Sequence, residues 1–543
     1  MLAIMKNFPL IPDISEEEKT PLVRLLLVII DQLHAIVLQQ GERIILLEDE
    51  IKRLKGHTPR PTIKPSVMEG NAREPKAPVD PANPKKKNKN HKKNKKTEKL
   101  VVHASQKVTI ADKPKGARFK GYNRYVVQDL IVQSHNTCYL LERYKLPDGS
   151  TRTAELPLDV QGSHFGPTLR SFIGYQYHHQ HVTQPLLLEQ LLAFGIDISS
   201  GQLSNLITHN KEAFHEEKKG ILAAGLEISS YIQTDDTGAR HKGKNGSCNV
   251  ICNEQFAHFE STDSKSRINF LEILRQDHKD YVFDEAAYAY FEKQKLPQYV
   301  LEVLMDAGVS HFETTECLEK HLASLDIHGE CHVRTITEGG LLSSLISHGF
   351  KADMRIVSDD APQFSLFLHA LCWLHSERKI TGLIPTTKQQ EKEIKKVLNR
   401  FWGVYKALKA FRAKPLAEKV KKIEKSFGRL LMLPSSSHAL TKVLEKLRSN
   451  KDKLLLVLKY PDTPIHNNGS EQAIRDYVKK RKISGSTRSE NGRKCRDTFA
   501  SIKKTCRKQG INFWDYLNDR HSKKFQIKLI PDIMRETAAA LAF

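Results

Sequence analysis

Two pairs of adjacent acids close short apolar runs: Asp235–Asp236 in YIQTDDTGAR and Asp359–Asp360 in MRIVSDDAPQF. Each run has the residue pattern of a β-strand, and turn formers follow each pair, Thr-Gly in one case and Ala-Pro in the other. Carboxylates offered at strand ends are the hard oxygen donors that Mg²⁺ and Mn²⁺ prefer. Short acids in such places also satisfy backbone groups in turns, so a third donor must separate the two readings. It comes in HNNGSEQAIRDYVKKRKISGSTRSENG (His466 to Gly492), where Glu471 falls in the first turn of a helix that Gly469-Ser470 opens. A glutamate there ordinarily complements the helix dipole. Here Arg475, Lys479, Lys480, Arg481 and Lys482 follow it. An acid within a field of cations makes chemical sense when the carboxylate holds a metal and the cations hold phosphates.

The elements that must position these acids can be read around them. After Asp235 come SCNVICN and FAHFEST, two more short strands, then the helix SKSRINFLEIL, and later the strand that ends at Asp359. Strand, strand, strand, helix, strand is the skeleton of a ribonuclease-H-like α/β fold. Its first and fourth strands can be neighbours, which would join Asp235 to Asp359 across 359 − 235 = 124 residues. Residues 276–349 are then a mainly helical insertion. Its Cys317, His321, His328, Cys331 and His332 follow no familiar zinc spacing and read as ordinary surface and core residues. The stretch from Phe364 to Lys379 predicts a helix, with His369, His375 and Arg378 on or beside it in reach of phosphates, although single helical histidines are more often structural. Lys-rich amphipathic helices over Lys388–Phe427 and Ala439–Leu458 present either a solvated or a DNA-facing basic side.

Upstream, Thr20-Pro21 marks a helix start. Leu26, Ile30, Leu33, Val37, Gln40, Ile44, Leu47, Ile51 and Leu54 follow with heptad spacing, which favours self-association as a homodimer or higher assembly. PKKKNKNHKKNKK (Pro84 to Lys96) has nothing to bury and is expected to be disordered. Its Lys85, Lys86, Lys87, Lys92 and Lys93 form a salt-sensitive DNA-grazing arm or a solvated spacer. A small β module is expected next, with a strand at Tyr125–Val132 and a hairpin turning at Pro147-Asp148-Gly149-Ser150. His178, His179 and His181 lack a spaced partner for zinc. Val182 to Asn210 outlines a helix-turn-helix, capped at Ser199 or Ser200, with Gln202, Ser204 and Asn205 available to bases.

Composition sets the class. The chain has 543 residues, with 86 Lys and Arg against 63 Asp and Glu, a net charge of +23. That excess calls for a polyanionic partner. Membrane insertion is not expected, since the run Leu25–Ile30 is cut by Arg24 and Asp31. The first dozen residues lack an export signal, and eight scattered cysteines fit a reducing cytoplasm. The expected organisation is a coiled coil (1–56), basic linker (57–100), β module (101–181), helix-turn-helix-like segment (182–225), catalytic parts at 226–275, 350–380 and 461–520, helical insertions at 276–349 and 381–460, and a tail (521–543).

DDTGAR, SDDAPQF with LCWLHSER, and NNGSEQAIRDYVKKRK…GS…SIKKTCRKQGINFWDYL resemble the catalytic domain of IS-sixty-six-like insertion-sequence transposases, of the DDE transposase/integrase group, from about Val182 to Leu517. The resemblance implies that Asp235, Asp359 and Glu471 are the catalytic, metal-holding acids, with Asp236 competing with Asp235. It implies two Mg²⁺ or Mn²⁺ ions, terminal-repeat and target DNA as partners, possible accessory proteins of the element, and a bacterial, nucleoid-associated cytoplasmic setting. Such transposases commonly carry a cysteine-pair zinc module upstream. This segment holds Cys138 alone, so zinc is not carried over. A non-catalytic DNA-binding derivative and a nuclease of the same fold are the competing readings.

Overall fold

The computed structural model describes residues 19–54, 101–112 and 115–542, so the arm carrying Lys85, Lys86, Lys87, Lys92 and Lys93 lies outside the described residues. Helix α1 (Pro21–Leu54) begins where Thr20-Pro21 predicts. The Thr20 Oγ1 accepts the Val23 N–H at 3.3 Å, meeting a donor that the first turn leaves free. Leu26, Ile30, Leu33 and Val37 of the heptad seam are exposed on this chain. Because the helix runs on through Arg24 and Asp31, Pro21–Gly41 reaches a mean hydropathy of 1.9 and is long and apolar enough to cross a membrane by length and composition alone. A hydrophobic run ended at Ile30 underestimates this stretch. An apolar seam built to meet another helix has the same composition.

The chain divides into a small unit, residues 66–139 with 190–197, and a large unit holding the rest. In the small unit the described residues of 101–139 form no helix or strand. The strand expected at Tyr125–Val132 is absent, and Tyr125, Leu130 and Ile131 are exposed. An alternating run without a ladder partner has nowhere to place its backbone hydrogen bonds except water.

In the large unit the expected β module reduces to one hairpin, β1 (Arg143–Lys145) with β2 (Thr151–Thr153). Its turn is the predicted one: Gly149 has φ +84°, and Asp148 Oδ1 accepts the Ser150 N–H at 2.9 Å. Residues 163–181, expected as part of that module, contain α2 (Pro167–Gly174), which continues into one π-helical turn, Tyr175–His179. Then come α3 (Gln184–Ala193), a turn with Gly195 at φ +75°, and α4 (Ser200–Thr208). Ser199 is the cap, in a capping box with Gln202, so the Gln202 amide is occupied by the helix start.

After α5 (Glu212–Ile228) the chain enters a five-stranded mixed sheet. β3 (Tyr231–Gly238), β4 (Ser247–Cys252) and β5 (Ala257–Thr262) form an antiparallel meander, and α6 (Arg267–Arg275) follows. Residues 276–349 are mainly helical: β6 (Tyr281–Val282), α7 (Glu285–Lys293), α8 (Gln298–Asp306), β7 (His311–Phe312), α9 (Thr315–Ser324) and α10 (Glu330–Ser347). They are not a separate body, because Phe283, Phe291 and Leu341 share one continuous core with Phe256 and Phe270 of the sheet side. β8 (Arg355–Ser358) and β9 (Leu368–Leu371) complete the sheet in the order β5-β4-β3-β8-β9, both parallel to β3.

The helix expected over Phe364–Lys379 is therefore a strand and a shorter helix, α11 (Trp373–Thr381). A strand buried on both faces reads as a near-continuous apolar run, which periodicity cannot tell from a buried helix. Helices α12 (Lys388–Ala413), α13 (Ala417–Leu431), α14 (His438–Ser449) and the short α15 (Lys451–Leu454) build a second core around Trp373, Phe401 and Phe427. Trp373 is fully buried and donates its indole N–H to the Leu454 carbonyl at 2.9 Å.

The chain then returns to the sheet as α16 (Asn468–Ser484) and α17 (Glu490–Lys508), followed by α18 (Phe513–His521) and α19 (Ile530–Ala542). α17 closes the exposed edge of β5 with side chains. Asp497 Oδ2, Ser501 Oγ and Thr505 Oγ1 accept the backbone N–H groups of Ser261, Phe259 and Ala257 at 2.8, 2.9 and 3.2 Å. Positions four apart on a helix advance about 6 Å, close to the advance of two strand residues, so one polar stripe matches one row of strand donors.

Candidate active site

β3 and β8 pair as Tyr231–Arg355, Ile232–Ile356 and Gln233–Val357. The offset is constant at 355 − 231 = 124, so Asp235 and Asp359 stand level just beyond the last pair. Strand alternation places Asp235 on the face of Gln233 and Asp236 on the other.

The first turn of α16 is fixed against the Gln233 side by several contacts. Gln233 Nε2 donates to the His466 carbonyl at 3.2 Å, and Asn467 Nδ2 donates to the Thr234 carbonyl at 2.7 Å. The Asn467 N–H meets Cys372 Sγ at 3.2 Å. A Cβ on Gly469 would collide with Gln233 Oε1, so any side chain there would lift the turn off the strand. Glu471 is carried in by this turn. The loop after β3 is tied to the far end of α16: Arg481 Nη1 donates to Thr237 Oγ1 at 3.1 Å, and Lys242 N–H donates to the Thr487 carbonyl at 2.9 Å.

Electrostatics gather the three acids. Burial pushes the Asp235 carboxyl up to about 6; the Asp236 N–H, 2.8 Å from its Oδ1, opposes this, and the charges of Asp359, Asp236 and Glu471 add to it. Asp359 Oδ1 accepts the Ala361 N–H at 3.0 Å. The Glu471 carboxylate is 13% exposed and is held by cations. Arg378 forks onto both of its oxygens at 3.3 Å and Arg475 lies at 3.5 Å, while His375, whose Nε2 is 3.8 Å away, has its pKa lowered by burial and by Arg378.

The two remaining acids of the pairs are engaged elsewhere. Asp236 pairs with Lys265 and accepts from Gln363 Nε2 at 2.7 Å. Asp360 is 3.1 Å from both Lys379 and Lys446 and accepts from Asn450 Nδ2 at 3.3 Å. Among the described residues, Asp235 and Asp359 have no cationic partner within ion-pair distance. Carboxylate oxygens without a balancing cation are hard donors of the kind a divalent ion such as Mg²⁺ or Mn²⁺ prefers.

The basic residues singled out in the sequence separate into two groups. Lys479 and Lys482 are exposed, and Arg475 is 70% exposed beside Glu471. Lys480 is 5% exposed and donates to the Tyr177 carbonyl at 2.8 Å with its ammonium over the Tyr177 ring. Burial, then the charges of Arg496 and Lys503, lower its pKa to about 7. Lys480 is thus buried against Tyr177, and Arg481 is bonded to the end of β3. The three histidines of the upstream cluster go to separate partners: His178 stacks on Phe499, His179 on Tyr175, and His181 Nε2 is 3.3 Å from Asp476. His369 is buried on β9 and bonded to Ser358 at 2.8 Å rather than offered to phosphate.

Gln233, Gln363, Lys265 and Asn467, which orient the acids or neutralise their neighbours, are site residues that the sequence pattern does not single out. For Asp236 a signal existed, because alternation already places it opposite Asp235. For the others the partners are remote in sequence, and nothing local marks them.

The sequence profile of the Transposase IS66 family matches residues 349–495, a segment that holds Asp359, Arg378 and Glu471 and begins after Asp235. The uncharacterized protein y4jO of Sinorhizobium fredii (strain NBRC 101917 / NGR234) is 40% identical over 302 residues, which are 55% of this chain and 94% of that protein.

Proposed function

The chain belongs to the Transposase IS66 family, and from that premise we propose that it cleaves the ends of an insertion sequence and transfers them into target DNA at the Asp235–Asp359–Glu471 cluster. DNA as substrate and a divalent metal as cofactor follow from the family in general terms. The strand order β5-β4-β3-β8-β9, antiparallel then parallel, supports a ribonuclease-H-like catalytic domain. The observation that supports the reading is that the charges of Asp359 and Glu471, from distant parts of the chain, act on the Asp235 carboxyl and add to the rise that burial causes.

Asp235, Asp359 and Glu471 are the residues that would hold Mg²⁺ or Mn²⁺, which when bound supplies charge to stabilise an in-line phosphoryl transfer. Asp235 must be deprotonated for that role, and its pKa of about 6 leaves it largely ionised at neutral pH. Lys479 and Lys482 lie further along α16 from Glu471 with exposed side chains suited to the DNA backbone. The exposed heptad seam of α1 would pair two copies and so two element ends.

The test is end cleavage in Mg²⁺. Alanine at Asp235, Asp359 or Glu471 is expected to lower cleavage by about 10³-fold or more, with DNA binding in a gel-shift assay within a few-fold of wild type. Cleavage at the wild-type rate by the Glu471 variant sinks the assignment. Joining of a labelled end to target DNA separates a transposase from a nuclease on the same fold.

A further inference from the structure

A guanidinium occupies the third acid of the cluster. Arg378, from the last turn of α11, addresses Glu471 with two nitrogens, Nη1 to Oε1 and Nη2 to Oε2, each at 3.3 Å. Arg475 approaches the same Oε2 at 3.5 Å. Both carboxylate oxygens are therefore engaged by cations, and an ion entering beside Asp235 and Asp359 would have to displace them to use Glu471. The side chain of Arg378 is 50% exposed while that of Glu471 is 13% exposed, so the arginine is the partner with room to move. Its Nη1 also donates to His375 Nε2 at 3.2 Å, which keeps the guanidinium beside the site. The planar fork that fits a carboxylate fits a phosphodiester equally well.

We propose that Arg378 is a DNA-phosphate ligand held in reserve by Glu471, released to a phosphodiester when that carboxylate turns to a divalent ion. The inference rests on the three-acid reading of the site and adds a coupling to it. A dication near Asp235 and Asp359 repels the guanidinium and attracts Glu471, and a phosphate arriving at the same place draws the guanidinium away. Each ligand removes part of the obstacle to the other, and by linkage the effect is reciprocal. In the absence of DNA the fork keeps Glu471 neutralised, so the site binds metal weakly until a phosphodiester is present.

The experiment measures Mn²⁺ binding to the full chain by the electron paramagnetic resonance of free Mn²⁺, with and without a short non-cognate duplex. In the wild type the duplex is expected to tighten Mn²⁺ binding by about 10-fold, within the usual range of such couplings. Arg378→Gln is expected to bind Mn²⁺ several-fold more tightly than wild type without DNA and to lose most of the effect of the duplex. Arg378→Lys keeps the charge but not the fork and is expected to fall between. Melting temperatures of both variants close to wild type establish that the fold is intact. Mn²⁺ affinity and duplex effect unchanged in Arg378→Gln would falsify the proposal while leaving the three-acid reading in place. Asp235→Asn with wild-type Mn²⁺ binding would overturn the three-acid reading, and this inference with it.

Discussion

Asp235 at the rim of β3 and Asp497 on α17 are both carboxyls that burial drives to a raised pKa, and their surroundings are opposite in kind. Asp497 feels the opposed charges of Lys218 and Glu260 and is met by donors: the Ser261 N–H at 2.8 Å, the Ser261 hydroxyl at 3.0 Å and the Tyr477 hydroxyl at 2.9 Å. Asp235 receives one backbone N–H and otherwise faces the charges of Asp359, Asp236 and Glu471. A raised pKa therefore does not distinguish a structural acid from a candidate metal ligand. The neighbours do. Donors converging on a carboxylate complete a fold, whereas carboxylates converging on one another leave a charge for an outside cation to balance.

That contrast can be broken by substitution. Asp497→Ala removes the acceptor of the Ser261 N–H, while the Tyr477 hydroxyl keeps the Ser261 Oγ 3.1 Å away, and is expected to cost about 1–3 kcal/mol, read by urea unfolding near pH 4, where no buried charge is relieved by the substitution. Asp235→Asn is expected to do the reverse, raising the stability of the metal-free protein by at most about 3 kcal/mol, the equivalent of a shift from 3.8 to about 6. The sign follows from proton binding. Between those two values the folded acid holds more protons than the unfolded one, so Asp235 lowers stability as pH rises through them. The gain from Asn should be full above about pH 6 and gone below about pH 4; an equal gain at both ends of that range would contradict the electrostatic origin. The smallest effect is expected at the end of the β5 stripe. Thr505→Val keeps the shape but leaves the Ala257 N–H unmet, at a cost of about 1–2 kcal/mol in the same unfolding assay.

Much of the candidate site is legible in the sequence, because acids at strand ends and an acid at a helix start are local signals. The level placement of Asp235 and Asp359 follows once β3 and β8 are taken as neighbours, and the observed offset of 124 equals their separation in sequence. Arg378 is harder to place. Taking Phe364–Lys379 as one helix hides the fact that a strand ends at Leu371 and that α11 starts beside the turn carrying Glu471. The burial of Lys480 is marked by its spacing: Ala473, Tyr477 and Lys480 step by four and three along α16, and all three are buried. The stripe of Asp497, Ser501 and Thr505 also has helical spacing, yet its partners are backbone N–H groups of β5, which leave no mark on a side-chain pattern.

The ladder between β3 and β8 also governs when the cluster can exist during synthesis. Asp235 emerges first and Glu471 is 471 − 235 = 236 residues later. At about 5–20 residues per second that interval is roughly 10–50 s. Throughout the first half of it, one edge of β3 waits for a partner strand that the ribosome has yet to produce. Every nascent or prematurely terminated chain that stops short of α16 carries α1 and β3 without the third acid. The three acids can come together only after the C-terminal helices have been made and docked.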